Sequence, residues 1–183
     1  MKLFISVFIL AIARLTLPDA DNFDQQEPIV IKNCGAGQMN KVISFKDNIS
    51  NGVFIHDLSW AWNSSVACFP ETQKQSFTGK HILFQTEIPA KSEMTITLKP
   101  SKRNAKLSLY GYQVGVNSTV LVPNLSSCVS CEADNNQSQN ATNNSRSISF
   151  RAVNRPYKIV IGIAGENGLD SGEFTFDVSV KNR

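Results

Sequence analysis

The chain has 183 residues, 42% of them hydrophobic and 18% charged, enough apolar material for one domain with its own core and without obligatory cross-links. Its formal charge of +3 is spread along the chain, with no cationic cluster beyond Lys99, Lys102, Arg103 and Lys106, too little for a nucleic-acid footprint. Beyond the N-terminus no stretch is long and apolar enough to cross a bilayer, so no membrane span is expected.

Met1 and Lys2 precede an apolar run over 3–13 that reads as a secretory signal, with the small residues Ala11 and Ala13 as one cleavage site and Ala20 as a second. No cysteine stands directly after that run, which argues against a lipid anchor. The expected division is a signal and start of leader over 1–20, a polar leader over 21–28 and a single domain over 29–183, in a secreted or periplasmic protein.

The first strand is expected over 29–31, before Cys34 and the turn at 35–37, and a second over 41–45. Residues 53–58 follow an Asn51-Gly52 pair and are β-branched and aromatic enough for a third. Extended spacing over 59–62 would put Trp60 and Trp62 on one face. Residues 82–88 form a strand closed by Pro89, and 94–98 alternate Met94, Ile96 and Leu98 against Thr95 and Thr97. In the next, Leu107, Leu109 and Gly111 alternate with Ser108, Tyr110 and Tyr112. After an apolar run at 120–122, a low-complexity Asn/Ser/Gln segment over about 132–147 cannot bury enough apolar area to order itself. Strands resume over 148–153 and 157–163, the latter apolar throughout and so a central strand covered on both faces. The last runs over 174–180, with Phe174, Phe176, Val178 and Val180 inward. Many short strands, turn signals between them and no helical periodicity predict an all-β fold, an antiparallel β-sandwich of jelly-roll type.

The strand at 94–98, the run Leu107-Ser108-Leu109-Tyr110 and the closing Gly172-Glu173-Phe174-Thr175-Phe176 resemble the bacterial pre-peptidase C-terminal (PPC) domain family over roughly the last hundred residues. The resemblance implies a secreted, jelly-roll-like, non-catalytic module, here as a stand-alone relative. Asn104, Lys106 and Ser108 stand where the family has acidic residues, which argues against carrying over a calcium site.

Four cysteines follow the signal: Cys34, Cys68, Cys128 and Cys131. In an oxidising compartment they predict two disulfides, and the favoured pairing is Cys34 with Cys68 and Cys128 with Cys131. No helix pattern follows Cys128 to lower its pKa for redox work, and zinc would need His56 and His81 to join a lone close pair. Asp170-Ser171-Gly172 with His56-Asp57 supplies the residue types of a serine triad but reads as a turn. Glu166, Asp170 and Glu173 lack the alternating carboxylates of a calcium loop. No catalytic residue, metal or cofactor is expected. Asn-X-Ser/Thr triplets start at Asn48, Asn63, Asn117, Asn124, Asn136, Asn140 and Asn143, and in a eukaryotic secretory route they would be glycan acceptors.

The functional expectation is a binding module for a carbohydrate or a secreted protein partner, with Trp60, Trp62, Tyr110 and Tyr112 as contacts. Its rival is a structural envelope or surface protein in which those rings are core. A weaker third is a metal-assisted hydrolase using His56, His81 and a carboxylate.

Overall fold

The computed structural model of the chain describes residues 27–102, 105–135 and 144–183. The expected signal, most of the leader, Arg103, Asn104 and the centre of the Asn-rich segment lie outside the described residues.

Ten strands are described: β1 (Ile31–Ala36), β2 (Val42–Asn48), β3 (Val53–Phe54), β4 (Lys80–Ile88), β5 (Ser92–Pro100), β6 (Leu107–Val114), β7 (Ser130–Asp134), β8 (Arg146–Ala152), β9 (Tyr157–Gly165) and β10 (Glu173–Asn182). Eight of them make two antiparallel sheets, in the orders β4-β9-β6-β7 and β2-β10-β5-β8. That interleaving is the jelly-roll order, and the fold is the expected all-β sandwich. The remaining two extend the first sheet along the free edge of β4: β3 antiparallel, and β1 parallel in the register Ile31↔Leu83, a departure from a purely antiparallel sandwich.

The second sheet follows period two closely. Met94, Ile96 and Leu98 of β5, Ile148 and Phe150 of β8, and Phe174, Phe176, Val178 and Val180 of β10 face inward. They meet Ile82, Phe84, Leu107, Leu109, Ile159, Ile161 and Ile163 of the first sheet. Full burial of such a side chain is worth about 1.5–3 kcal/mol, so this layer is a large source of stability. The opposite face of the second sheet is polar, crossed by Lys99–Asp177 at 2.6 Å and by Glu93 at 3.8 Å from both Arg151 and Lys181.

The first sheet differs. Its outer face carries a second core, in which Leu83, Tyr110, Tyr112, Val160 and Ala164 are covered by Ile55, Leu58, Trp60, Phe69, Phe77, Val122 and Leu125 from two long connections. Every residue of β6 is therefore buried, where alternation alone anticipated one exposed face. The apolar strand β9 lies between β4 and β6 with both faces covered, as expected.

Several local expectations change. Only Val53–Phe54 of the run 53–58 is strand, residues 59–62 form a 3-10 helix, and a further 3-10 helix occupies Glu71–Phe77. The apolar run 120–122 supplies Val122 to the outer core. β7 reaches Asp134 and β8 starts at Arg146, so the expected loop over 132–147 is shorter at both ends.

Candidate functional site

The four rings proposed as contacts occupy the outer layer but do not form a surface. Trp60, Tyr110 and Tyr112 are buried, and Trp62 is half-exposed. The local chain dictates the split. The Asp57 carboxylate accepts the Ser59 N–H at 2.8 Å and the Asn63 Oδ1 accepts the Ser65 N–H at 2.9 Å, so an Asx turn brackets each end of the 3-10 helix Ser59–Trp62. At three residues per turn, side chains two apart diverge by about 120°, so one indole enters the core as the other leaves it.

Trp60 packs at 5.4 Å from the Tyr110 ring and edge-on to Phe69 at 5.7 Å, while Phe69 stacks on Phe77 at 3.8 Å. Tyr110 is fixed at both ends. Its ring crosses Gly162 on β9, where a Cβ would stand 2.0 Å from the ring's Cζ, and its hydroxyl lies 3.0 Å from His81 Nδ1. His81 Nε2 is 2.8 Å from the Phe77 carbonyl. A carbonyl only accepts, so the proton sits on Nε2 and Nδ1 accepts from Tyr110. Burial pushes the imidazole down to about 4, against the smaller upward pull of the Phe77 carbonyl. Burial likewise holds the Tyr110 hydroxyl well above its ordinary value. His81 is thus a neutral structural residue with both nitrogens occupied, and His56 is exposed and stacks on Phe54 at 6.2 Å. Among the described residues no three His, Cys, Asp or Glu side chains gather where they could hold a metal ion.

The cysteines pair otherwise than expected: Cys68 bonds Cys131, and Cys34 and Cys128 are free thiols. Sheet topology supplies the reason. Cys34 on β1 packs against the core between the sheets, whereas Cys68, Cys128 and Cys131 all pack against the outer core, with the first sheet in between. The Cys128 thiol turns toward the Val66 carbonyl at 3.8 Å, leaving Cys131 at the start of β7 to meet Cys68. Burial raises the thiol of Cys34 to about 11, far from the thiolate form that reactivity needs.

Around the disulfide lies an open hollow of about 380 Å³ lined by Trp62, Ala67, Cys68, Phe69, Pro70 and Glu71. Ala67 takes φ +48°, a conformation that costs a residue with a Cβ about 1–2 kcal/mol, and the Asn63 carbonyl secures it by accepting both the Val66 and the Ala67 N–H. Nothing in the sequence marks this hollow except the two Asx patterns, Asp57-X-Ser59 and Asn63-X-Ser65, that turn Trp62 outward.

No family model matches the chain, and no curated protein sequence does. Its structure is similar to the pre-peptidase C-terminal domain of a collagenase from Bacillus anthracis, with 11% identity and a TM-score of 0.42 over 86% of this chain and all of that one. It is also similar to PliG of Aeromonas hydrophila, a periplasmic inhibitor of g-type lysozyme, with 10% identity and a TM-score of 0.38 over 82% of this chain and 99% of that one. The first belongs to the family that the strand motifs resemble.

Proposed function

We propose that the chain is an exported, non-catalytic β-sandwich that acts by binding a protein surface, with Trp62 as the anchoring contact. The observation that carries this is that, of the four rings, Trp62 alone keeps part of its indole open, in a hollow whose walls are aromatic, proline and disulfide. Tryptophan is enriched among the few residues that dominate the energetics of protein interfaces. The single charged group there is Glu71, so the hollow suits an apolar or proline side chain of a partner. A sugar would find few partners for its hydroxyls. The disulfide is consistent with an oxidising compartment.

The test is selection of a displayed peptide library against the folded chain, with Trp62→Ala as the comparison. Peptides that bind the parent and lose at least tenfold in affinity on Trp62→Ala support the reading, and binders indifferent to that substitution refute it. The burial of Trp60, Tyr110 and Tyr112 favours a second reading, a structural surface protein with no dedicated ligand, which predicts that no peptide depends on Trp62.

A further inference from the structure

Seven Asn-X-Ser/Thr triplets are more than composition accounts for: 17 asparagines and 29 serines and threonines in 183 residues would place about three by chance. The fold sorts those it describes. Asn63, Asn117 and Asn124 are exposed, and no described hydrogen bond engages their Nδ2 atoms. Asn63 follows the 3-10 helix Ser59–Trp62, and its Oδ1 accepts the N–H of Ser65, the hydroxyl residue of its own triplet, at 2.9 Å. Asn117 and Asn124 lie in the connection from β6 to β7, the one that lowers Val122 and Leu125 onto the outer core. All three therefore stand on the loop layer over the first sheet. The strands β5, β8 and β10 contain no triplet.

Asn48 is different. It is half-buried at the end of β2, and its Oδ1 accepts both the Ser50 N–H and the Gly172 N–H at 3.0 Å, tying a 3-10 turn to the loop before β10.

We infer that Asn63, Asn117 and Asn124 are N-glycan acceptors, and that the loop layer over the first sheet is the carbohydrate-bearing side of the molecule. In each transfer the asparagine Nδ2 attacks the anomeric carbon of a lipid-pyrophosphate-linked oligosaccharide. The new C–N bond forms as the bond to the pyrophosphate oxygen breaks, the amide gives up one proton and the lipid pyrophosphate departs. The polar face of the second sheet stays bare. Asn48, half-buried at the end of β2 where the other three are exposed, is the least accessible of the four and carries the least glycan.

The test is secretion of the full chain from a eukaryotic cell line, release of glycans by an amidase in 18O-water, and peptide mass spectrometry. The expected result is heavy aspartate at 63, 117 and 124 and markedly less label at Asn48. Thr119→Ala shifts the intact mass down by one glycan, while Thr119→Ser, which preserves the triplet, does not. Recovery of all three asparagines unlabelled from folded, secreted protein overturns the inference, as does labelling of Asn48 to the same extent as the others. The readout is occupancy, so it succeeds or fails independently of what Trp62 contacts.

Discussion

The ring of Tyr110 lies across Gly162, its partner on the neighbouring strand, so closely that a Cβ at 162 would sit 2.0 Å from Cζ. The ring cannot retreat, because Trp60 at 5.4 Å, Phe77 at 6.0 Å and the His81 hydrogen bond at 3.0 Å surround it. Gly162→Ala should therefore overpack the outer core and cost about 3 kcal/mol. Denaturant unfolding would show it as a lower midpoint at unchanged slope, and a midpoint equal to the parent's would mean that the ring has room that this packing denies.

His81 makes stability depend on pH in a defined window. Its imidazole is held neutral at about 4 in the fold, against about 6.5 in the unfolded chain, so below 6.5 the unfolded state takes up a proton that the folded state refuses. Stability is then full above about pH 6.5, falls as pH drops toward 4 and levels off below, a loss of about 3 kcal/mol. The carboxylates of Asp47, Asp57 and Asp177, lowered by their partners, contribute stability that is lost only below their ordinary range near 3.8. Unfolding free energies between pH 7 and 5, above the range in which the aspartates titrate, isolate the histidine, and His81→Gln, which keeps a donor and an acceptor without titrating, should flatten the curve there.

The Cys68–Cys131 bond spans 63 residues and ties the connection that carries both tryptophans to the first strand beyond β6. Converting both residues to serine should cost about 4 kcal/mol by the loop-entropy relation. Because the bond borders the hollow, hydrogen exchange should quicken first in residues 59–77 and only later in β5 and β10. Uniform loss of protection would show the loop layer and the sandwich to be one cooperative unit.

At Ala67 the positive φ of 48° is met by a residue with a Cβ. Ala67→Gly relieves that strain but gains entropy in the unfolded chain, and the balance should stabilise the protein by about 0.5–1 kcal/mol. A thermal unfolding scan reads the shift, and a lower melting temperature would contradict the assigned backbone conformation.

Much of the sandwich was legible because period two survives wherever one face meets the core and the other meets water, as in β5, β8 and β10. The outer core was not. Ser108, Tyr110 and Tyr112 read as a half-exposed face, and what buries them comes from residues 55–77 and 122–125, distant in sequence and without regular periodicity. The paired indoles misled for a related reason. Spacing of two means one face only in extended chain, and the Asx turns at Asp57 and Asn63 curl the segment into a 3-10 helix. Gly162 inside an apolar strand was an available sign of close approach, and it marks the ring that organises the layer. The cysteine pairing depended on which face of the first sheet each residue occupies, which spacing does not encode.

The most direct measurement is the fluorescence of Trp60→Phe, which leaves Trp62 as the sole tryptophan. Trp60 Nε1 is buried with no hydrogen-bond partner among the described residues, so the exchange costs packing but no hydrogen bond. Emission that is red-shifted, quenched by acrylamide and protected when a selected peptide is bound is the result predicted for an open, ligand-contacting indole. Blue-shifted emission that acrylamide does not reach and no peptide perturbs would show Trp62 to be core, and the binding role assigned to this face would fall.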